Sequence, residues 1–265
     1  MNTQPRRKWH PQRWLLLLAA SLLAYAGWTQ YAFRSALKEA KALGWDVYYT
    51  DQSKLIQRNW KAAFQRETWT DGVKALRLPT NKAIEQHLAL IHRLNPKGVN
   101  IDKDTQLHTL SAFTNLSSLR HIGLTGCSEL TDVNALKNLP TLHELRLIDC
   151  TGLTDVDALQ HLTTVNLINL NGCTGLSSVD ALANLSTLQF LGLSGCTRLT
   201  NVDALKRLTS LRHIDLTRCS GLINLDGLKT LPALRLVVLS GCTGLTKESI
   251  EALKAALPNT TILTD

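Results

Sequence analysis

The six cysteines of this chain stand at positions 127, 150, 173, 196, 219 and 242, each 23 residues after the one before. Each closes the same apolar frame, L-x-x-L-x-L-x-x-C. The copies are LRHIGLTGC from Leu119, LHELRLIDC from Leu142, VNLINLNGC from Val165, LQFLGLSGC from Leu188, LRHIDLTRC from Leu211 and LRLVVLSGC from Leu234. A fixed period of this length means that one supersecondary unit recurs, and a single unit cannot bury its apolar face alone. Successive units must therefore stack, each covering the next. Two degenerate copies precede the six in the same register, PKGVNIDKD from Pro96 and VKALRLPTN from Val73, with Asp104 and Asn81 in place of cysteine. A partial strand at Thr260 to Leu263 follows them, which makes about eight units and a stub.

The frame resembles the strand segment of the leucine-rich repeat superfamily, L-x-x-L-x-L-x-x-N/C. The tail of each unit, as in CTGLTDVDALQHLTTV, is most similar to the short internalin-type repeats, and the GCxxLTD element resembles the cysteine-containing repeats of F-box proteins. The resemblance covers residues 73 to 265. It implies an α/β fold, a leucine-rich repeat solenoid with a curved parallel sheet on the concave side and short helical turns on the convex side. It is silent about activity, because function in this superfamily lies in variable surface positions or attached domains.

Side chains alternate across a strand, so the fourth and sixth positions of each frame point inward while the third, fifth and seventh point outward. At the ninth position the chain turns, and a small side chain must fill the interior beside backbone polar groups. Cysteine fits there as a small, apolar, weakly donating residue. Successive coils lie about 4.8 Å apart with parallel Cβ vectors, so buried thiols are expected rather than disulfides. No C-x-x-C or C-x-x-H pairing supports zinc. A second column, Asn134, Asp157, Asp180, Asp203 and Asp226, is expected to cap a short helical turn in each coil, with a calcium-binding row as the alternative. In the last unit Thr246-Lys247-Glu248-Ser249 leads into IEALKAAL, where Ile250, Leu253 and Leu257 form the inner stripe of a closing α-helix.

The N-terminal quarter obeys different rules: all six tryptophans and all four tyrosines precede residue 70. The net charge of +8 is uneven too, with +4 in residues 1–13, +6 in 34–100 and −2 in 101–265. Phosphate binding needs clustered cations interleaved with stacking aromatics, and the repeats have neither, so nucleic acid is not an expected partner. No charge occurs between Arg13 and Arg34. As a helix, residues 14–33 (WLLLLAASLLAYAGWTQYAF) would span about 30 Å, the thickness of the hydrocarbon layer. Trp14, Trp28 and Tyr31 stand where amphipathic rings favour the interface. The expectation is a single-pass transmembrane signal anchor in the cytoplasmic membrane. The cationic arm, residues 1–13, would stay inside and the repeats would be extracytoplasmic, periplasmic in a Gram-negative cell. The alternative is a signal peptide cleaved after Ala24-Tyr25-Ala26, near residue 26, and secretion of the remainder. A buried core helix is a third reading.

Residues 34–72 form an expected helical linker and N-terminal cap. Ser35 to Leu43 reads as a helix stopped by Gly44. A second helix from near Asp51 would place Ile56, Trp60 and Phe64 on one stripe and cover the open first repeat. The repeats then occupy 73–245, and residues 246–265 form a C-terminal capping helix and strand. Nucleophile elbows, zinc-protease helices and phosphate-binding glycine loops have no counterpart here. His213 and Asp215 share an outward face without a nucleophile beside them. Anchor, cap and repeats leave no length for a catalytic domain, so neither an enzyme nor a cofactor is expected. What remains is non-catalytic protein–protein recognition, with a structural or self-associating envelope protein as the alternative. The outward positions nominate the partner site on the concave face: Glu144, Arg146, Ile148, Leu167, Asn169, Phe190, His213, Asp215, Leu236 and Val238. An apolar centre at Leu167 and Phe190 within a charged rim is the composition of a binding hot spot.

Overall fold

A chain that repeats every 23 residues satisfies all its strands at once only if each repeat lies beside the next in one register. The structure, a computed structural model, describes residues 34–43, 46–49, 73–78, 88–103 and 106–264. Residues 34–42 form helix α1, followed by strands β1 (Asp46–Tyr49) and β2 (Val73–Leu78) and helix α2 (Leu88–Leu94). Strands β3 (Gly98–Asp102), β4 (His121–Thr125), β5 (Glu144–Ile148), β6 (Leu167–Asn169), β7 (Phe190–Gly192), β8 (His213–Asp215) and β9 (Leu236–Val238) come next. Helix α3 (Lys247–Ala256) and strand β10 (Thr261–Leu263) end the chain. The ten strands make one sheet in sequence order, β2 to β10 mutually parallel. Ile122, Leu145, Ile168, Leu191, Ile214 and Val237 pair in succession, so one period is one coil.

Each coil sends the same set of side chains inward. In one of them Leu142, Leu145, Leu147, Cys150, Leu153, Val156, Leu159 and Leu162 are all buried, and the residues 23 positions later repeat the set. Full burial of a leucine contributes about 2 kcal/mol, and each coil supplies several. Opposite the sheet, short 3₁₀ turns such as Asn134–Asn138, Asp157–His161 and Asp203–Arg207 close each coil. At the C-terminal end α3 replaces the turn, capped by the Thr246 hydroxyl, which accepts the Ser249 N–H at 3.2 Å. Leu253 is fully buried and Ile250 packs against the core, as the apolar stripe requires.

Two ladders of weak donors join the coils at their corners. The thiols of Cys173, Cys196, Cys219 and Cys242 donate to carbonyls one coil back, those of Leu147, Leu170, Leu193 and Leu216, at 2.9–3.3 Å. Leu170, Leu193 and Leu216 also accept the backbone N–H of their own coil's cysteine, so each of these carbonyls takes two donors. All six cysteines are buried thiols, as the parallel Cβ geometry demands. Burial pushes the Cys173, Cys196 and Cys219 thiols up to about 12. A hydrogen bond with Cys127, reinforced by burial, raises Cys150 as well. At the opposite corner the Thr141, Thr164 and Thr187 hydroxyls lie within 2.6–3.1 Å of two carbonyl oxygens of the preceding coil.

The sequence expectations need two corrections. Asn134, Asp157, Asp180, Asp203 and Asp226 do not cap the 3₁₀ turns; they are their first residues. The cap acceptors stand two positions earlier: Asp132, Asp155, Ser178, Asn201 and Asn224 take the N–H of that column at 2.6–3.2 Å. The residue between them, such as Val156, is buried, so the nearest exposed acceptor precedes it and closes a side-chain turn. The region ahead of the repeats is not purely helical either, since β1 pairs antiparallel with β2. Helix α1 forms as expected and buries Ala36, Leu37 and Ala40; Glu39 meets Arg93 of α2 at 3.3 Å. The span over residues 14–33 and the stripe of Ile56, Trp60 and Phe64 lie outside the described residues. Among the described residues no helix is long and apolar enough to cross a membrane.

One residue before each cysteine position the backbone is left-handed, with φ between 54° and 75° at Lys103, Gly126, Asp149, Gly172, Gly195, Arg218 and Gly241. That conformation costs an L-residue about 1–2 kcal/mol and glycine almost nothing. Arg218→Gly is expected to raise stability by about 0.5–1 kcal/mol, after the greater freedom of glycine in the unfolded chain is subtracted. Gly195→Ala, where an added Cβ would make only ordinary contact with the Gly172 backbone at 3.7 Å, is expected to cost about 1 kcal/mol. Denaturant midpoints of the two variants check both signs.

Candidate protein-interaction surface

The outer face of the sheet is free of the rule that fills the interior, so its side chains are set by something other than stacking. Pairing aligns the third positions as one column, His121, Glu144, Leu167, Phe190, His213 and Leu236. The fifth positions align as a second, Gly123, Arg146, Asn169, Gly192, Asp215 and Val238. All ten residues nominated from the sequence are half-buried or exposed on this face. Ile148 is set apart from the rest, paired with Thr125 at the far end of its strand.

The face changes character along its length. Toward the N-terminal coils it is polar and internally neutralised. Glu144 meets Arg146 on one side and the His121 ring at 3.1 Å on the other. The second ring nitrogen of His121 lies 2.9 Å from the Asn100 side-chain oxygen. Burial holds the His121 pKa below its ordinary value despite the opposing pull of Glu144.

Toward the C-terminal coils the third-position column turns apolar. Phe190 is 40% exposed and is flanked by Leu167 on one coil and His213 on the next. Its ring stacks on the His213 imidazole with centroids 4.7 Å apart and planes 16° from parallel. Leu236 continues the ridge one coil further. Beside it the polar groups are occupied. The Asp215 carboxylate accepts the Thr217 N–H at 2.9 Å and its hydroxyl at 2.6 Å. Asn169 accepts the Asn171 N–H, and Asn171 in turn accepts that of Ser194, both at 2.9 Å. These two amides lean over Gly192, where a Cβ would come within 2.9 and 2.7 Å of their oxygens. Glycine is therefore required there, because the two amides occupy the space a side chain would take and form polar ground beside Phe190.

His213 and Asp215 share the face without forming a catalytic pair. Asp215 is engaged by Thr217, and the Nδ1 of His213 has no hydrogen-bond partner among the described residues. No group of three or more His, Cys, Asp or Glu among the described residues is placed to hold a metal ion. The sequence pattern did not single out Arg212 and Arg235. They stand at the second position of adjacent coils, exposed, immediately before His213 and Leu236.

No protein-family model and no curated protein sequence matches the chain. Solved structures do. Internalin C2 from Listeria monocytogenes is 21% identical over 77% of this chain and 90% of its own, with a TM-score of 0.56. The leucine-rich repeat domain of the type III effector XopL is 21% identical over 90% of this chain and 93% of its own, with a TM-score of 0.53. The fold is thus a leucine-rich repeat solenoid, with a parallel sheet and short 3₁₀ turns.

The division into inner and outer positions is open to a stability measurement on adjacent residues. Leu193 is fully buried, and Leu193→Ala is expected to cost about 2–5 kcal/mol. Phe190→Ala, three residues earlier on the outer face, is expected to cost less than about 1 kcal/mol. Chemical denaturation of both variants checks the contrast, and comparable losses would contradict the assignment of faces.

Proposed function

We propose that this protein recognises another protein non-catalytically through the outer face of its sheet. The observation that carries the reading is the exposed Phe190 in a column with the half-buried Leu167, His213 and Leu236, on a surface that the stacking of coils leaves unconstrained. An aromatic anchor ringed by polar groups that exclude water is how binding energy concentrates at protein interfaces. Phe190, 40% exposed and held by the His213 ring stacked against it, supplies such an anchor, with the Asn169 and Asn171 amides as polar neighbours over Gly192. We further propose that the repeats are displayed outside the cytoplasmic membrane by an anchor over residues 14–33, whose uncharged length and aromatic ends support it.

Self-association is a second reading, supported by Leu263, 47% exposed on the terminal strand β10. Light scattering separates the two: a monomer in solution fits recognition of a different protein, and an obligate oligomer fits self-association.

Site-specific photocrosslinking from position 190, with position 206 on the 3₁₀ side as the control, identifies what the ridge touches. Against a partner so identified, Phe190→Ala and Leu167→Ala are each expected to cost about 2 kcal/mol of affinity. Unchanged binding by both variants excludes the ridge. For the anchor, membrane fractionation is expected to leave the full-length chain in the pellet after a salt wash and to release it with detergent. A soluble product shortened by about 26 residues, the length of a secretory signal, would establish cleavage instead.

A further inference from the structure

The charges of the repeats are segregated along the chain. Residues 106–189 hold three Lys and Arg against seven Asp and Glu, while residues 190–245 hold seven against three. On the sheet face this asymmetry is sharpened by pairing. The carboxylate of the N-terminal half, Glu144, is already shared between Arg146 and His121, and Asp215 of the C-terminal half is held by Thr217. Arg212 and Arg235 have no such arrangement. Both are exposed, and among the described residues neither guanidinium makes an ion pair or a side-chain hydrogen bond. At the same position of the preceding two coils stand Gln189 and Asn166, which carry no charge. Asp215 keeps its charge, since its donors are neutral, so two arginines against one carboxylate leave the coils that follow that of Phe190 net positive by one. The next cation of the second-position column, Arg120, stands beyond the uncharged Gln189 and Asn166 and beyond His143.

Resting on the recognition reading above, we infer that the partner is a protein segment bearing an apolar anchor and adjacent carboxylates. The anchor seats against Phe190 and Leu236, and the carboxylates reach Arg212 and Arg235. Arginine suits this role because its planar fork donates two parallel hydrogen bonds to a carboxylate. A basic segment is disfavoured by like charge along the same edge, which gives the surface its specificity. A second copy of this chain is the competing occupant, since its own N-terminal coils are acidic.

The test uses the full chain in non-ionic detergent and three labelled peptides of equal length and identical apolar residues, flanked by Glu, by Lys or by Gln. Fluorescence polarisation is expected to rank them Glu, then Gln, then Lys at low salt. The Glu peptide should lead by at least about tenfold, and that advantage should shrink as salt screens the charges. Arg212→Glu combined with Arg235→Glu should invert the order, and Phe190→Ala should weaken all three peptides. An order unchanged by the double reversal, with Phe190→Ala still weakening binding, overturns the acidic partner while leaving the recognition reading in place. An order inverted by the reversal with Phe190→Ala without effect overturns the reading itself. Absence of binding by all three peptides overturns the inference. So does a salt-sensitive dimer of this chain, detected by light scattering, that the double reversal dissociates.

Discussion

Everything in this structure depends on the fit between one coil and the next. A coil of 23 residues has no interior of its own; its leucines are buried only because the neighbouring coils present the same side chains at the same height. That requirement forbids local improvisation, because a change in the inward set of one coil must be matched by those on either side. Backbone pairing along the sheet, thiols at one corner and hydroxyls at the other all cross the same boundary. Toward the ends the repeat gives way: α1 buries Ala36, Leu37 and Ala40 ahead of the first coils, and in the last coil α3 replaces the 3₁₀ turn.

The same constraint explains where function can reside. Residues pointing inward are fixed by their counterparts above and below, whereas the outer face of the sheet answers only to solvent or to a ligand. Along that face the chain changes from a neutralised polar group around Glu144 to an apolar column at Phe190, with the exposed Arg212 and Arg235 just ahead of the next two strands. Such a gradient has no value for stacking, which is indifferent to it.

Much of this was legible in the sequence because periodicity is a strong signal when one unit recurs. The cysteine interval gave the coil length, and alternation of side chains placed Leu193 inside and Phe190 outside. The degenerate copies at Val73 and Pro96 became β2 and β3, and Thr260 to Leu263 became β10. What escaped was whatever lacks a period or depends on the depth of a neighbour. Strand β1, read DVYY, belongs to no repeat and pairs antiparallel. The caps were placed two residues late because an acidic column is conspicuous, whereas the burial of the residue before it is not. Threonines 141, 164 and 187 read as ordinary loop residues until geometry set their hydroxyls against the preceding coil. At the site, the outward positions were readable, but the neutralisation of Glu144 and the stacking of His213 on Phe190 were not.

The central claim, that the cysteines mark the inner corner of stacked coils, has a direct chemical test. Reaction with a thiol reagent at mildly alkaline pH, in the absence of reductant, compares the folded and denatured chain. Folded protein is expected to be inert, since the thiols are buried and, at Cys173, Cys196 and Cys219, pushed up to about 12. Denaturant is expected to release all six for reaction. Rapid labelling of the folded protein, or fewer than six thiols after unfolding, would contradict the account by showing cysteines that are exposed or joined in disulfides.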